Sequence, residues 1–201
     1  MYKVNDIFLS LQGEGVNTGR AAVFVRFALC NRRCSYCDTD FVAYTEMTAE
    51  EILSRIAALW ADSNCTLIVD SLRQPLPMVV LTGGEPAIQV DPPLIDALHR
   101  AGYYIAIETN GSLPLPEGID WITVSPKGDH VITECDELKV IFTDASSADD
   151  CNIRARHYCL QPCDTGDPVR NKAIVEQCIA YIKSHPRWRL SLQTHKIMGY
   201  K

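Results

Sequence analysis

This chain predicts an α/β fold built on a parallel sheet, and three observations carry that expectation. Short runs rich in β-branched and apolar residues alternate with segments of helical character along the sequence. Most of those runs end in a polar turn bearing glycine or proline. The 201 residues are 47% apolar, enough for a substantial core, and no linker, repeat or low-complexity stretch divides them. Residues 1–201 therefore read as a single domain.

The elements follow in order. Residues 4–11 predict a short strand that runs into the turn Gln12-Gly13-Glu14-Gly15, and residues 22–29, mostly apolar, predict a buried strand. Thr48 suits the N-cap of a helix reaching about residue 61, with Glu50 and Glu51 near its positive end. Residues 78–82 form a strand before Gly83-Gly84-Glu85-Pro86, and residues 91–101 a helix with prolines in its first turn. Strands follow at 104–108, 120–124, 137–142 and 157–161, then a long helix over 169–183 and a strand at 188–192. Parallel α/β folds gather ligands at the carboxyl ends of strands. The polar turns therefore converge on one edge.

Charge and cysteine content narrow the function. A net charge of −6 argues against a phosphate-neutralising surface and a polybasic anchor, so neither nucleic acid nor membrane is an expected partner. No apolar run approaches a membrane span, and the first residues lack the apolar region of a signal peptide. A reducing cytoplasm is the expected location. There, nine cysteines suggest metal ligation and buried thiols rather than disulfides.

Cys30, Cys34 and Cys37 form a Cys-x-x-x-Cys-x-x-Cys run just after an apolar strand. A structural zinc site closes with four protein ligands. Three soft thiolates suit a 4Fe-4S cube and leave one iron open to a small molecule. A zinc-binding module with no catalytic role is the alternative from another class. Cys159 and Cys163 repeat the four-residue step, but no dense further group accompanies them to make a second cluster.

The cysteine run followed by Gly83-Gly84-Glu85-Pro86 resembles the radical S-adenosylmethionine enzymes. Seven further segments occur in the right order: 11–15, 37–41, 81–86, 107–111, 124–127, 137–140 and 192–196. Together they resemble the 7-carboxy-7-deazaguanine synthase family over nearly the whole chain. The resemblance implies an abbreviated, partial parallel β/α barrel, usually a homodimer. It also implies a carbon–nitrogen lyase that converts 6-carboxy-5,6,7,8-tetrahydropterin to 7-carboxy-7-deazaguanine and ammonia, feeding queuosine and other 7-deazapurines. S-adenosylmethionine is used catalytically, magnesium assists, and an electron donor such as a flavodoxin or ferredoxin supplies the electron. The runner-up is a small glycyl-radical activase, whose chemistry does not call for Gln12, Glu14, Arg26 and a terminal His195 block.

The resemblance also implies roles by position. Cys30, Cys34 and Cys37 hold the cluster. Leu11, Gln12, Gly13, Glu14, Arg26, Thr82, His195 and the terminal Lys201 contact the pterin, with Glu14 and Arg26 expected among the catalytic residues. Arg26 sits inside Val23-Phe24-Val25-Arg26-Phe27, where an unpaired charge is costly, and a guanidinium grips a carboxylate bidentately. Gly84, Glu85, Ser125, Pro126, Lys127, Gln161, Pro162, Cys163 and Asp164 contact S-adenosylmethionine, Glu85 by accepting from its amine. Glu108 and Asn110 are weaker candidates. Thr39, a hard oxygen donor flanked by Asp38 and Asp40, ligates magnesium. Two features depart from the pattern. Cys163 stands where an apolar residue is expected, and residues 63–77 make a longer connection than the family needs, with an edge strand or dimer contact as its expected use.

Overall fold

The computed structural model describes residues 1–35, 37, 42–62 and 76–201. Nine strands form one sheet: β1 (Tyr2–Leu11), β2 (Ala21–Phe27), β3 (Thr45–Met47), β4 (Met78–Gly83), β5 (Tyr104–Thr109), β6 (Trp121–Val124), β7 (Glu134–Phe142), β8 (Arg154–Pro162) and β9 (Trp188–Leu190). Among the described residues their spatial order is β3-β1-β2-β4-β5-β6-β7-β8-β9, so β3 and β9 are the edges there and the sheet does not close into a barrel. From β2 to β9 every pairing is parallel.

Two expectations need correction. The start of the sheet is antiparallel, because β1 pairs with both β2 and β3 in that sense. The β1–β2 connection is too short for a crossover. It closes on itself instead, with Gln12 N–H donating to the Arg20 carbonyl and Gly19 N–H to the Gln12 carbonyl, both at 2.8 Å. The alternation with helices is also incomplete. Helices α1 (Ala49–Asp62) and α2 (Pro92–Arg100) flank β4, and α3 (Pro168–Ser184) joins β8 to β9, but loops alone link β5, β6 and β7. The three-residue β3 and the terminal helix α4 (Thr194–Met198) had no separate signal in the sequence.

Local chemistry sets the helix starts as expected. Thr48 and Glu51 make a reciprocal capping box at α1: Glu51 N–H donates to Thr48 Oγ1 at 3.2 Å and Thr48 N–H to Glu51 Oε2 at 2.7 Å. Asp91 accepts from Leu94 N–H at 3.1 Å and prolines open α2.

Strand alternation divides the sheet into two faces. Val23, Val25, Phe27, Val79, Leu81, Ile105 and Ile107 pack on Ile52, Ile56 and Trp60 of α1 and on Leu94, Ile95 and Leu98 of α2. Leu138, Phe142, Leu160 and Trp188 pack on Ile174 and Cys178 of α3. On the opposite face, Ala22, Met78, Val80 and Ala106 form a small apolar plug near the strand starts. Further along the same strands, in step with the alternation, stand Arg26, Thr82 and Glu108. The sequence thus floors the inner face with apolar residues and leaves polar ones at its carboxyl edge. No described helix is long and apolar enough to cross a membrane.

Candidate active site

A cavity of about 520 Å³ opens on the carboxyl edge of the sheet. Its wall brings together residues that lie far apart in sequence: Leu11, Gln12, Gly13, Glu14, Arg26, Cys30, Cys34, Cys37, Thr82, Gly84, Ser125, Lys127, Gln161, Pro162, Cys163, Asp164, His195 and Lys201. Phe8, Phe24, Glu108 and Lys139 line it as well.

The thiol loop is fixed by its neighbours. Ala28 N–H donates to the Lys3 carbonyl, and Leu29 then takes a left-handed backbone (φ 74°) that turns the chain off β2. Gly84 N–H donates to the Phe27 carbonyl at 3.0 Å and Glu85 N–H to the Leu29 carbonyl at 2.8 Å, so the Gly-Gly turn and the thiol loop are stitched together. A Cβ on Gly83, whose φ is +133°, would stand 2.1 Å from the Phe27 carbonyl oxygen. The glycines thus admit the backbone that leads to Cys30, a closer reason than approach to a ligand. Asn31 donates to Ser112 Oγ at 2.8 Å and accepts from Asn110 Nδ2 at 3.0 Å, while Arg32 donates to the Asp129 carbonyl at 2.7 Å.

Glu85 corrects an expectation. It is fully buried and off the cavity wall. Its carboxylate accepts from Ala87 N–H at 3.0 Å, Thr109 Oγ1 at 2.6 Å and Asn110 N–H at 2.7 Å, tying the end of β4 to the end of β5. Gly84 lines the cavity, while Glu85, just past β4, turns its side chain inward to cap the short turn Pro86–Ile88. Pro126 also lies off the wall. Thr39, with Asp38, Asp40 and most of 63–77, lies outside the described residues.

Arg26, on the same wall, lies over the Phe8 ring, 5.6 Å from its centroid. Its Nε is buried and has no hydrogen-bond partner among the described residues. A buried, unpartnered guanidinium nitrogen is a costly arrangement in the free protein. It fits a site made for an anion. The chain end docks beside it: Ser10 Oγ donates to the Lys201 carbonyl, and Lys201 Nζ reaches Asp6 at 2.5 Å. Helix α4 closes over the first turn, where Thr194 N–H and Oγ1 both donate to the Gly13 carbonyl at 3.0 and 2.9 Å. A Cβ on Gly13 would stand 2.3 Å from His195 Nδ1, so only glycine lets that imidazole in.

A charged row also lines the cavity. Lys139 Nζ lies 2.6 Å from Glu14 Oε2 and 2.8 Å from Glu108 Oε2. Gln193 donates to Glu14 at 3.0 Å and Gln12 to Glu108 at 3.1 Å. Burial alone would raise the Glu14 carboxyl, but the Lys139 ammonium and the Gln193 amide outweigh it and hold it at about 2. At Glu108 burial prevails over Lys139, and the charges of Glu14 and Glu137 add to it, pushing the carboxyl up to about 7. Burial, with the Lys139 charge beside it, lowers Lys127 to about 8. Asp164, bonded by Gly166 N–H, Asn171 and Lys196, is lowered to about 2. Gln161 accepts from Ser191 Oγ at 2.7 Å, and that hydroxyl also receives Gly15 N–H at 2.9 Å.

Lys139 was not read from the sequence as a site residue. The signal was present: Leu138-Lys139-Val140-Ile141 embeds a charge in an apolar run, the pattern that marks Arg26.

The donor set can be tested against a metal group. Among the described residues no three His, Cys, Asp or Glu side chains converge on a point that would hold one ion. A 4Fe-4S cube asks for a different layout, with each thiolate on its own iron. Three cysteines that all line the cavity, Cys30 and Cys34 partly buried and Cys37 exposed, supply the thiolates it needs.

An open β/α sheet with a three-cysteine loop on its carboxyl edge defines a class, and residues 25–130 match the Radical SAM superfamily. The chain belongs to that superfamily, whose members carry a 4Fe-4S cluster and S-adenosylmethionine. A 7-carboxy-7-deazaguanine synthase of Bacteroides thetaiotaomicron is 46% identical over the full length of both chains. One of Bradyrhizobium diazoefficiens is 43% identical over 100% of this chain and 99% of its own. The crystal structure of QueE from Escherichia coli superposes with a TM-score of 0.67 at 28% identity, covering 96% of this chain and 94% of the other. The chain belongs to the 7-carboxy-7-deazaguanine synthase family. That membership sets aside both the zinc module and the glycyl-radical activase.

Proposed function

We propose that this chain is a radical lyase that contracts 6-carboxy-5,6,7,8-tetrahydropterin to 7-carboxy-7-deazaguanine with release of ammonia, in 7-deazapurine biosynthesis. One observation carries the reading: one cavity is lined both by the three-thiol loop and by Arg26, whose buried Nε has no hydrogen-bond partner among the described residues. The cluster and S-adenosylmethionine, when bound, would supply the reversible hydrogen-atom abstraction that the ring contraction needs.

The chain's own residues do the rest. Cys30, Cys34 and Cys37 bind the cluster and leave one iron open. Gly84, Ser125, Lys127, Gln161, Pro162, Cys163 and Asp164 line the cavity where S-adenosylmethionine sits. Arg26 takes the substrate carboxylate, and Leu11, Gln12, Gly13, Thr82, His195 and Lys201 bound the ring. Glu14, charged, accepts from the adjacent N–H groups of the guanine-like edge. Thr39 offers magnesium a hydroxyl. The active form is a cytoplasmic homodimer of single-domain chains, reduced by a flavodoxin or ferredoxin.

The test is anaerobic turnover of the reconstituted protein with 6-carboxytetrahydropterin, S-adenosylmethionine, magnesium and dithionite. Mass spectrometry should find 7-carboxy-7-deazaguanine with S-adenosylmethionine largely unconsumed. Cofactor cleavage without that product defeats the reading.

A further inference from the structure

The charged row on the cavity wall holds more than substrate contacts. Lys139 is 4% exposed and meets both Glu14 and Glu108 within 2.8 Å. Register explains the row. Glu108 of β5 pairs across to Thr123 of β6, and Thr123 to Glu137 of β7. Glu137 and Lys139, two apart on β7, share the inner face. Glu137 accepts from Val16 N–H at 2.7 Å, directly beneath Gly15, where a Cβ would stand 2.0 Å from its Oε1. The loop bearing Gln12 and Glu14 is thus seated on β7, and the Lys139 ammonium faces one buried and two partly buried carboxyl groups.

We propose that Lys139 is a positioning residue for this reaction: it holds the Glu14 and Glu108 carboxyl groups in place against the polar edge of the substrate. The inference rests on the pterin reading above and deepens it. A pyrimidinone edge presents N–H donors beside a ring nitrogen and a carbonyl. Two equal carboxylates would repel its acceptors. A carboxylate beside a carboxylic acid matches both. The positions of Glu14 at about 2 and Glu108 at about 7 agree with that division. The titratable groups facing Glu108 are Lys139 and Glu137 from β7, Glu14 from the loop after β1, Lys127 from the loop after β6 and Cys159 from β8.

The test uses reconstituted enzyme and steady-state kinetics with 6-carboxytetrahydropterin. Lys139→Met should raise the pterin KM about thirty-fold or more while iron content stays that of the parent. The acid limb of its kcat/KM profile should move to higher pH, because both carboxylates lose their cation. The double variant Lys139→Met/Glu108→Gln removes one charge of each sign. Its KM penalty should be no larger than that of the worse single variant, a coupling that a merely structural lysine does not give. It also keeps the test available if the single variant fails to fold. An unchanged KM and pH profile in Lys139→Met, or penalties that multiply in the double variant, overturns the proposal. Wild-type protein that forms no deazaguanine acid defeats the pterin reading instead, so the two failures are distinct.

Discussion

Gly84 lies directly under the backbone of Leu29: a Cβ added to Gly84 would stand 1.9 Å from the Leu29 carbonyl oxygen and 3.0 Å from the Cys30 Cβ. The glycine and the first cluster ligand are thus one packing unit. Gly84→Ala should push the thiol loop outward, at a cost of about 1–3 kcal/mol or more, since backbone cannot rotate away as a side chain can. Iron content per chain and thermal unfolding check it. A normal iron content and an unchanged Tm contradict it.

Arg26→Ala should weaken pterin binding by about 2 kcal/mol or more, because it removes the partly buried cation assigned to the substrate carboxylate. The cluster should still assemble. The check is a binding titration of the reconstituted variant, and unchanged affinity refutes the assignment. Stability should not fall much, as the Arg26 Nε has no hydrogen-bond partner among the described residues to lose.

Glu108 predicts a pH dependence whose sign can be worked out. Its carboxyl rises from the ordinary 4.5 to about 7 on folding. The folded state therefore holds the proton more tightly. The contribution to stability is fully present below about pH 4.5 and is lost as pH rises through 7. Glu108→Gln should flatten the stability curve across that window by a few kcal/mol at most. Glu14 acts in the opposite sense and lower down: held at about 2, its contribution is present above 4.5 and lost as pH falls toward 2. Denaturant unfolding of parent and variant from about pH 2 to 8 measures both limbs. A parallel pair of curves contradicts the first.

Glu85→Gln should destabilise the chain end of β5 without touching the cavity wall. One oxygen of Glu85 accepts from Asn110 N–H at 2.7 Å, the other from Thr109 Oγ1 at 2.6 Å and Ala87 N–H at 3.0 Å. An amide can satisfy only one side, so a buried donor loses its acceptor at about 1–3 kcal/mol. Calorimetry should register the loss. A loss confined to S-adenosylmethionine affinity, with Tm unchanged, would instead support the contact expected from the sequence.

Much of this was legible in the sequence, and the gaps have physical causes. Turn chemistry and apolar runs located the long strands and α1 to α3. The strand sense of β1 and β2 was not visible, because an apolar run reads alike in either direction and only the short connection through Gly19 decides it. Three-residue β3 is below the length at which alternation speaks. Arg26 was found because a charge in an apolar run demands a partner. Lys139 sits in the same kind of run and went unread. Glu85 follows the end of β4, and its carboxylate is taken up by Ala87 N–H, Thr109 Oγ1 and Asn110 N–H, long-range partners that no local pattern announces. The Gly13–His195 fit joins the first turn to the last helix, and that distance is set by the sheet, not by any local pattern.

The central claim is a cube held by Cys30, Cys34 and Cys37 with one iron left to S-adenosylmethionine. Electron paramagnetic resonance of the anaerobically reconstituted, reduced protein tests it most directly, with and without S-adenosylmethionine. The account predicts a 4Fe-4S signal that shifts when S-adenosylmethionine is added and vanishes in Cys34→Ala. A colourless zinc protein, or a cluster signal indifferent to S-adenosylmethionine, would contradict it.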